Sequence, residues 1–187
     1  LRDYLGLSPI PPVRSGTTAN YYDERILETF DTDFLRLVLQ KGRQNKMTEL
    51  EDGTILTENQ TILAYIAERS GKLMPEHGLA RWRVLEALAF MSSEIHGAYG
   101  PFFRNFPEPE KARAREKLAK AFALLAAQMG DKDFLVGDAM SIADCYLVWV
   151  LMVAPKSGVD LPDNLRAAFD RLRARPAVVR AFAEEGL

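Results

Sequence analysis

The pattern of apolar and polar positions changes near residue 79, and the chain beyond it is predicted to be helical. A first apolar stripe has its members at helical spacing: Trp82, Leu85, Leu88, Met91 and Ile95. Glycines at 97 and 100 and a proline at 101 are predicted to bend or break this helix. Further helices are predicted over residues 107–129, 142–154, 165–173 and 176–184. The pattern therefore indicates an all-α unit of five to six helices.

The first third of the chain shows a weaker pattern, with one clear local signal. Residues 1–46 have little periodicity and dense prolines, which exclude a continuous helix. The β-prone runs 47–50 and 54–56 flank Asp52 and Gly53, a strong hairpin signal. Thr57 is predicted to cap a following helix, with Gln60 completing a capping box and Gly71 ending the helix.

Composition narrows the class of protein. The 187 residues carry a net charge of −2, so there is no basic footprint for nucleic acid. A single cysteine, Cys145, and no recognisable secretion signal suggest a cytoplasmic protein. The longest apolar run, 145–155, is about half of the ~20 residues that a membrane span needs. The two histidines, at 77 and 96, lack metal-ligand spacing, so no metal is expected.

The start of the helix after the predicted hairpin is the best candidate for chemistry. A helix start presents unpaired N–H groups and can hold a small anion such as a carboxylate. Glu58 can accept from an ammonium group and Asn59 can both donate and accept. Together these groups suit a zwitterionic amino-acid group. Ordinary helix capping explains the same residues, and the residues alone leave both interpretations open.

Other polar residues have a structural and a functional interpretation. Ser141 and Asp144 form a capping-box pattern, which favours a structural role over a functional acid. His96 is either a base or donor for a ligand, or a structural or solvated side chain. Cys145 stands in the most apolar predicted helix, where a thiol is inert.

Three segments resemble the glutathione S-transferase family. Residues 45–59 resemble its glutathione-binding signature, including the Asp-Gly hairpin and Leu-Thr-Glu-Asn in place of Leu-Thr-Glu-Ser. Residues 134–144 resemble the Leu-x-Gly-Asp-x-x-Ser-Ile-Ala-Asp motif of its helical domain. Residues 93–96 together with 101–103 are similar to a pattern of bacterial beta-class members. The resemblance covers residues 45–187.

The resemblance implies a two-domain fold and an enzymatic activity. Its fold class is an α/β thioredoxin-like N-terminal domain, residues 1–73, and an all-α helical-bundle C-terminal domain, residues 79–187, joined by a linker at 74–78. It implies a homodimer that conjugates glutathione to small hydrophobic electrophiles, or uses it in peroxidase or thiol chemistry. The alternative is a catalytically impaired binding or interaction protein on the same fold.

The resemblance also assigns residues. Glu58 and Asn59 would hold the γ-glutamyl group, and the backbone at Met47 and Thr48 would pair with the cysteinyl part of glutathione. Ser141 and Asp144 would be a folding cap. Five residues near the end of the long helical stripe would line the electrophile pocket or the interface, three of which are equally consistent with core: Glu94 and His96, then Tyr99, Phe102 and Phe103.

The chain departs from the family at Thr48 and in its first 44 residues. Thr48 stands where the family has a cis-proline, and a cis bond before a non-proline costs ~2.5–4 kcal/mol, so a trans bond is expected. No cysteine stands in residues 7–12, which leaves Ser8 and Tyr4 as hydroxyl candidates for activating a thiol. Residues 1–44 are expected to be an incomplete or altered first strand–helix unit, and the start at Leu1 suggests a missing N-terminus.

Overall fold

The computed structural model describes residues 48–49 and 55–187. Within them, two short strands, β1 (Thr48–Glu49) and β2 (Ile55–Leu56), precede the helices. The α-helices are α1 (Asn59–Ser70), α2 (Gly78–Phe90), α3 (Gly100–Phe103), α4 (Glu108–Met129), α5 (Ile142–Ser157), α6 (Asp163–Arg173) and α7 (Pro176–Glu185). The C-terminal part is therefore helical, as predicted, while most of the predicted thioredoxin-like domain lies outside the described residues.

The strand pairing predicted around Asp52 and Gly53 is confirmed. Strands β1 and β2 are antiparallel, with Thr48 opposite Leu56 and Glu49 opposite Ile55. The turn itself lies outside the described residues. Helix α1 begins three residues after β2 ends, so the strand pair lies directly before the first helix.

Helix α1 starts one residue later than a Thr57 cap requires, so the predicted capping box of Thr57 and Gln60 is wrong. The residue before the helix is Glu58, whose side chain makes no cap hydrogen bond. The backbone turns from strand to helix at Glu58 itself, with φ 67° and ψ 119°. Thr57 therefore lies outside the capping position. The predicted end is correct, since Gly71 follows the helix in the left-handed conformation that glycine favours.

The long helical stripe after residue 79 changes its winding before it ends. Helix α2 continues into a π-helical segment, Met91–His96, and then a tight 3-10 turn, Gly97–Tyr99, before α3 begins. The interruption predicted from the glycines and the proline is present, but it begins at Met91. We call Met91–His96 the wide turn. Such segments are rare and recur at functional sites.

Helix α5 is the centre of the core. Twelve of its 16 residues are buried, and it packs against α1, α2, the wide turn and α6. The surrounding buried residues include Leu63, Leu88, Met91, Phe122 and Leu165. No helix in the described part of the chain is long and apolar enough to cross a membrane.

A backbone hydrogen bond joins the segment after α1 to α5. The N–H of Ile142, the first residue of α5, donates to the carbonyl of Leu73 at 2.9 Å. Leu73 adopts φ 60°, a left-handed conformation that is uncommon outside glycine. This bond joins the residue just before the predicted linker, 74–78, to the start of the central helix.

Candidate functional site

The start of α1 exposes a strained carboxylate residue. Glu58 has φ 67° although it is not glycine, and its side chain is exposed. A backbone held in such a sparsely populated region costs ~1–3 kcal/mol, and residues of this kind cluster at ligand-binding and active sites. The Glu58 side chain makes no cap hydrogen bond, so capping the helix does not account for the carboxylate at this position.

The backbone of the first turn of α1 offers hydrogen-bond donors beside that carboxylate. The N–H of Ile62 donates to the carbonyl of Glu58 at 2.9 Å, so the three preceding N–H groups lie ahead of the helical ladder. No acidic residue stands in the first turn to offset the positive end of the helix. Asn59 is half-buried, with its side-chain nitrogen shielded from solvent. An acceptor and a group of donors thus stand together.

Tyr146 of α5 lies close enough to Glu58 to feel its charge. Burial raises the pKa of Tyr146 to about 12, the Ser92 hydroxyl opposes this, and the negative charge of Glu58 adds to it. Tyr146 therefore keeps its phenolic proton at neutral pH.

Tyr146 also holds His96, the last residue of the wide turn. The phenol oxygen and His96 Nδ1 are 2.7 Å apart. The phenol donates to Nδ1 when the imidazole carries its proton on Nε2, and it accepts when the proton is on Nδ1. His96 is exposed, but its ring also packs on Trp149 with centroids 4.3 Å apart. The imidazole is consequently held by two contacts.

Trp149 is the centre of an aromatic cluster. Its ring contacts four others, with centroid distances between 4.3 and 6.5 Å: His96, Tyr99, Phe103 and Tyr146. Tyr146 and Trp149 are not among the predicted site residues, because both lie in an apolar run that is typical of core. Their spacing of three residues, which places two side chains on one helix face, was the available signal.

The three aromatic residues predicted for a pocket lie in different environments. Tyr99 is fully buried, and its hydroxyl donates to the carbonyl of Val150 at 2.7 Å, as a core tyrosine does. Phe102 is half-buried beneath the guanidinium of Arg115, 5.5 Å from the ring centroid. Phe103 is 51% exposed. Phe103 alone of these presents its ring to solvent.

Glu94 faces a different helix from His96. Its carboxylate pairs with Lys117 of α4 at 3.0 Å, and this contact holds the pKa of the Glu94 carboxyl below its usual range. Both side chains are about half exposed, so this pair contributes little to stability. Glu94 therefore connects the wide turn to α4 and stands outside the aromatic cluster.

The start of α5 is a fully hydrogen-bonded cap. Asp144 accepts from the backbone N–H of Leu135 and of Ser141, each at 2.8 Å, and from the Ser141 hydroxyl at 3.0 Å. The Ser141 oxygen in turn accepts from Ala143 N–H at 3.3 Å. Burial raises the pKa of Asp144 despite these bonds. Ser141 and Asp144 thus hold the loop between α4 and α5, which contains Leu135, against the start of α5.

Several predicted site residues cannot be placed. Tyr4, Ser8 and Met47 lie outside the described residues. The peptide bond that joins Met47 to Thr48, which is expected to be trans, therefore lies outside them as well. Thr48 is described in β1 through its backbone. Cys145 is buried in α5. No cluster of metal-ligating side chains is found within residues 48–49 and 55–187.

Comparison with known proteins assigns the family. Residues 87–176 match the family model of the glutathione S-transferase C-terminal domain. Glutathione S-transferase GstA of Escherichia coli O157:H7 is 32% identical over 144 residues, covering 74% of this chain and 72% of that protein.

Solved structures agree with this assignment. A sphingomonad glutathione S-transferase complexed with glutathione has a TM-score of 0.70 and 37% identity, covering 75% of this chain and 73% of that one. The bacterial beta-class enzyme of Sphingomonas chungbukensis has a TM-score of 0.70 and 33% identity, with the same coverage. The strained start of α1, the capped α5 and these relatives lead to one conclusion: the chain belongs to the glutathione S-transferase family and is similar to its bacterial beta-class members.

Proposed function

We propose that this protein is a glutathione S-transferase that conjugates glutathione to small hydrophobic electrophiles, a detoxification activity. The observation that carries the proposal is the strained backbone of Glu58 at the exposed start of α1. The family relatives are named for the same activity, and one was solved with glutathione bound. A strained, charged residue at an exposed helix start suits the zwitterionic end of that tripeptide.

The γ-glutamyl group of glutathione is the part that Glu58 and Asn59 would hold. Its carboxylate would accept from the first N–H groups of α1, and its ammonium would donate to the Glu58 carboxylate. Asn59 would supply a further polar contact at the same helix start. The backbone at Met47 and Thr48 would pair with the cysteinyl part, next to the strand pair that precedes α1.

The thiol of glutathione must lose its proton before the sulfur attacks an electrophilic carbon. His96 is a donor candidate, because Tyr146 and Trp149 hold its exposed ring. Each ~1.4 kcal/mol of thiolate stabilisation lowers the thiol pKa by about one unit. Tyr4 and Ser8 remain sequence-based candidates for the same role. In the reaction the sulfur–carbon bond forms as the leaving group departs with its electron pair.

We further propose a cytoplasmic homodimer whose N-terminal domain is thioredoxin-like. The family assignment supports the fold and the pairing of subunits, and the single buried Cys145 is compatible with a reducing compartment. Light scattering of the purified protein would measure twice the chain mass of 21.0 kDa for the dimer.

Glutathione binding and turnover test the function directly. Calorimetry should detect binding to the wild-type protein, and Glu58→Gln should weaken it about tenfold or more, because a charge-assisted hydrogen bond is worth ~1.5–3 kcal/mol. Glu76→Gln is the matched control, since Glu76 is an exposed carboxylate in the linker. Turnover of chlorodinitrobenzene should accompany binding.

Two results would contradict the proposal in different ways. If calorimetry detected no heat at millimolar glutathione, the proposed glutathione-binding site would be refuted. Binding without turnover of any electrophile would instead indicate the catalytically impaired binding protein. If Glu58→Gln bound glutathione with the same affinity as the wild-type protein, Glu58 would not be a glutathione-binding residue.

A further inference from the structure

The chain between the tight 3-10 turn and α4 has little anchorage in the core. Within residues 100–106 no side chain is buried, although Tyr99, directly before them, is completely buried. We call residues 100–106 the strap; they comprise the short helix α3 and the three residues after it. Segments with few buried contacts belong to the least stable part of a fold and open locally at small cost in free energy.

The strap is held together from within by its own backbone. The N–H of Arg104 donates to the carbonyl of Gly100 at 3.0 Å, and the N–H of Phe106 donates to the carbonyl of Pro101 at 2.9 Å. Both bonds lie inside the strap, so they are kept when it moves as one unit. The next residue, Pro107, belongs to α4, because its carbonyl accepts from the first N–H groups of that helix.

Side chains of α4 connect the strap to the rest of the helical part. The Nζ of Lys111 donates to Asn105 Oδ1 at 2.9 Å in an exposed contact. The guanidinium of Arg115 lies over the ring of Phe102, 5.5 Å from its centroid. Contacts of this kind separate without breaking the backbone ladder of any helix. The strap is therefore attached to α4 by contacts that a rotation of the strap can release.

Two glycines stand at the end of the strap that joins the wide turn. Gly97 and Gly100 have ordinary helical backbones, with φ −58° and −49°. No described atom lies within 4 Å of the place where a Cβ would stand on either of them. The closed structure therefore has room for alanine at both positions, and alanine would favour the helical backbone. Neither a left-handed turn nor close packing explains these glycines, and what glycine adds is the freedom to leave this conformation.

We propose that the strap is a conformational device that swings away from α5 by rotation about Gly97 and Gly100. In the closed arrangement the ring of Phe103 lies 6.5 Å from that of Trp149, centroid to centroid. Opening separates these rings and breaks the bond from Gly100 N–H to the Gly97 carbonyl, which crosses the hinge. The two internal bonds of the strap move with it. Because a few small residues at element ends absorb the rotation, this is a hinge motion. It needs no ligand, so it is independent of the proposed function.

Amide hydrogen exchange of the full-length protein, followed residue by residue by NMR, tests the proposal. The amide of Gly100 should be at least about tenfold less protected than those of Arg104 and Phe106, because only its bond crosses the hinge. Gly97→Ala should raise the protection of Gly100 about threefold, since alanine restricts the hinge, and should leave the other two unchanged. Lys120→Ala is the matched control: it changes an exposed residue of α4 outside the strap and should alter none of the three.

A second variant acts on the other attachment of the strap and in the opposite direction. Lys111→Met removes the donor to Asn105 and should lower the protection of Gly100 about threefold. Equal protection of the three amides would show that the strap unfolds and does not swing, and would overturn the inference. Unchanged protection of Gly100 in Gly97→Ala would do the same, because the glycine would not be a hinge. Each of these results leaves the proposed glutathione chemistry intact.

Discussion

Replacing Asp144 by alanine tests the view that the start of α5 organises the helical part of the chain. The carboxylate is fully buried and accepts three hydrogen bonds, two from backbone N–H groups and one from the Ser141 hydroxyl. The Leu135 bond reaches nine residues back along the chain, to the loop that follows α4. Alanine removes every acceptor at once and leaves that loop without its connection to α5.

The magnitude follows from the groups left behind. Two buried backbone N–H groups lose their acceptor, and each such group costs ~1–3 kcal/mol. One of these two donors, the Ser141 N–H, is itself the reciprocal half of the capping box, so loss of the box adds no separate cost. The free energy of unfolding should therefore fall by about 2–6 kcal/mol, a large share of the ~5–15 kcal/mol of a typical domain.

Urea denaturation followed by far-ultraviolet circular dichroism measures this change, because the described chain is mostly helical. Asp138→Ala is the matched control: it lies in the same connection, but Asp138 is exposed, so a change within about 0.5 kcal/mol is expected. If Asp144→Ala lost less than about 1 kcal/mol while Asp138→Ala behaved as expected, the reasoning would fail, because buried donors would not be carrying the assumed cost.

Two further predictions concern ionisation and the site. Burial raises the pKa of Asp144, so the folded chain binds this proton more tightly than the unfolded chain. The free energy of unfolding should consequently fall as pH rises from the ordinary aspartate pKa through the raised one, and Asp144→Asn should have a shallower slope there in urea titrations; an identical slope would contradict the assignment. Tyr146→Phe should lower kcat/KM for chlorodinitrobenzene about tenfold through loss of the hydrogen bond to His96, with the Kd of glutathione unchanged, and an unaltered kcat/KM would show that this bond does not serve the reaction.

The parts of the fold that depend on local signals could be predicted from the sequence. The pairing of residues near 48 and 56 followed from an Asp-Gly dipeptide between short β-prone runs. Helices α4 and α7 start beside prolines and were placed within about a residue. Helix α5 was predicted to end at 154 before Pro155, but it continues to Ser157 and ends at Gly158. Pro155 lies in the last turn, where a missing N–H costs the helix only one of its final bonds.

The same distinction applies to the candidate site: features set by neighbouring residues could be predicted, and features set by the packing of distant helices could not. Glu58 and Asn59 could be proposed as site residues from the sequence because they stand together at a helix start. The wide turn and the aromatic cluster around Trp149 could not be predicted, because they depend on which face of α5 meets the end of α2. Tyr146 and Trp149 were therefore counted with the apolar run of their helix. Tyr99 illustrates the converse, since an aromatic residue at pocket spacing is core once its hydroxyl finds the Val150 carbonyl.

The bond from Ile142 N–H to the Leu73 carbonyl has a consequence for how this protein can change over evolution. Both partners are main-chain atoms, so ordinary side-chain substitutions leave the bond available, and only proline at 142 removes its donor. The side chains of the linker can therefore drift while the segment after α1 stays joined to the start of the central helix α5.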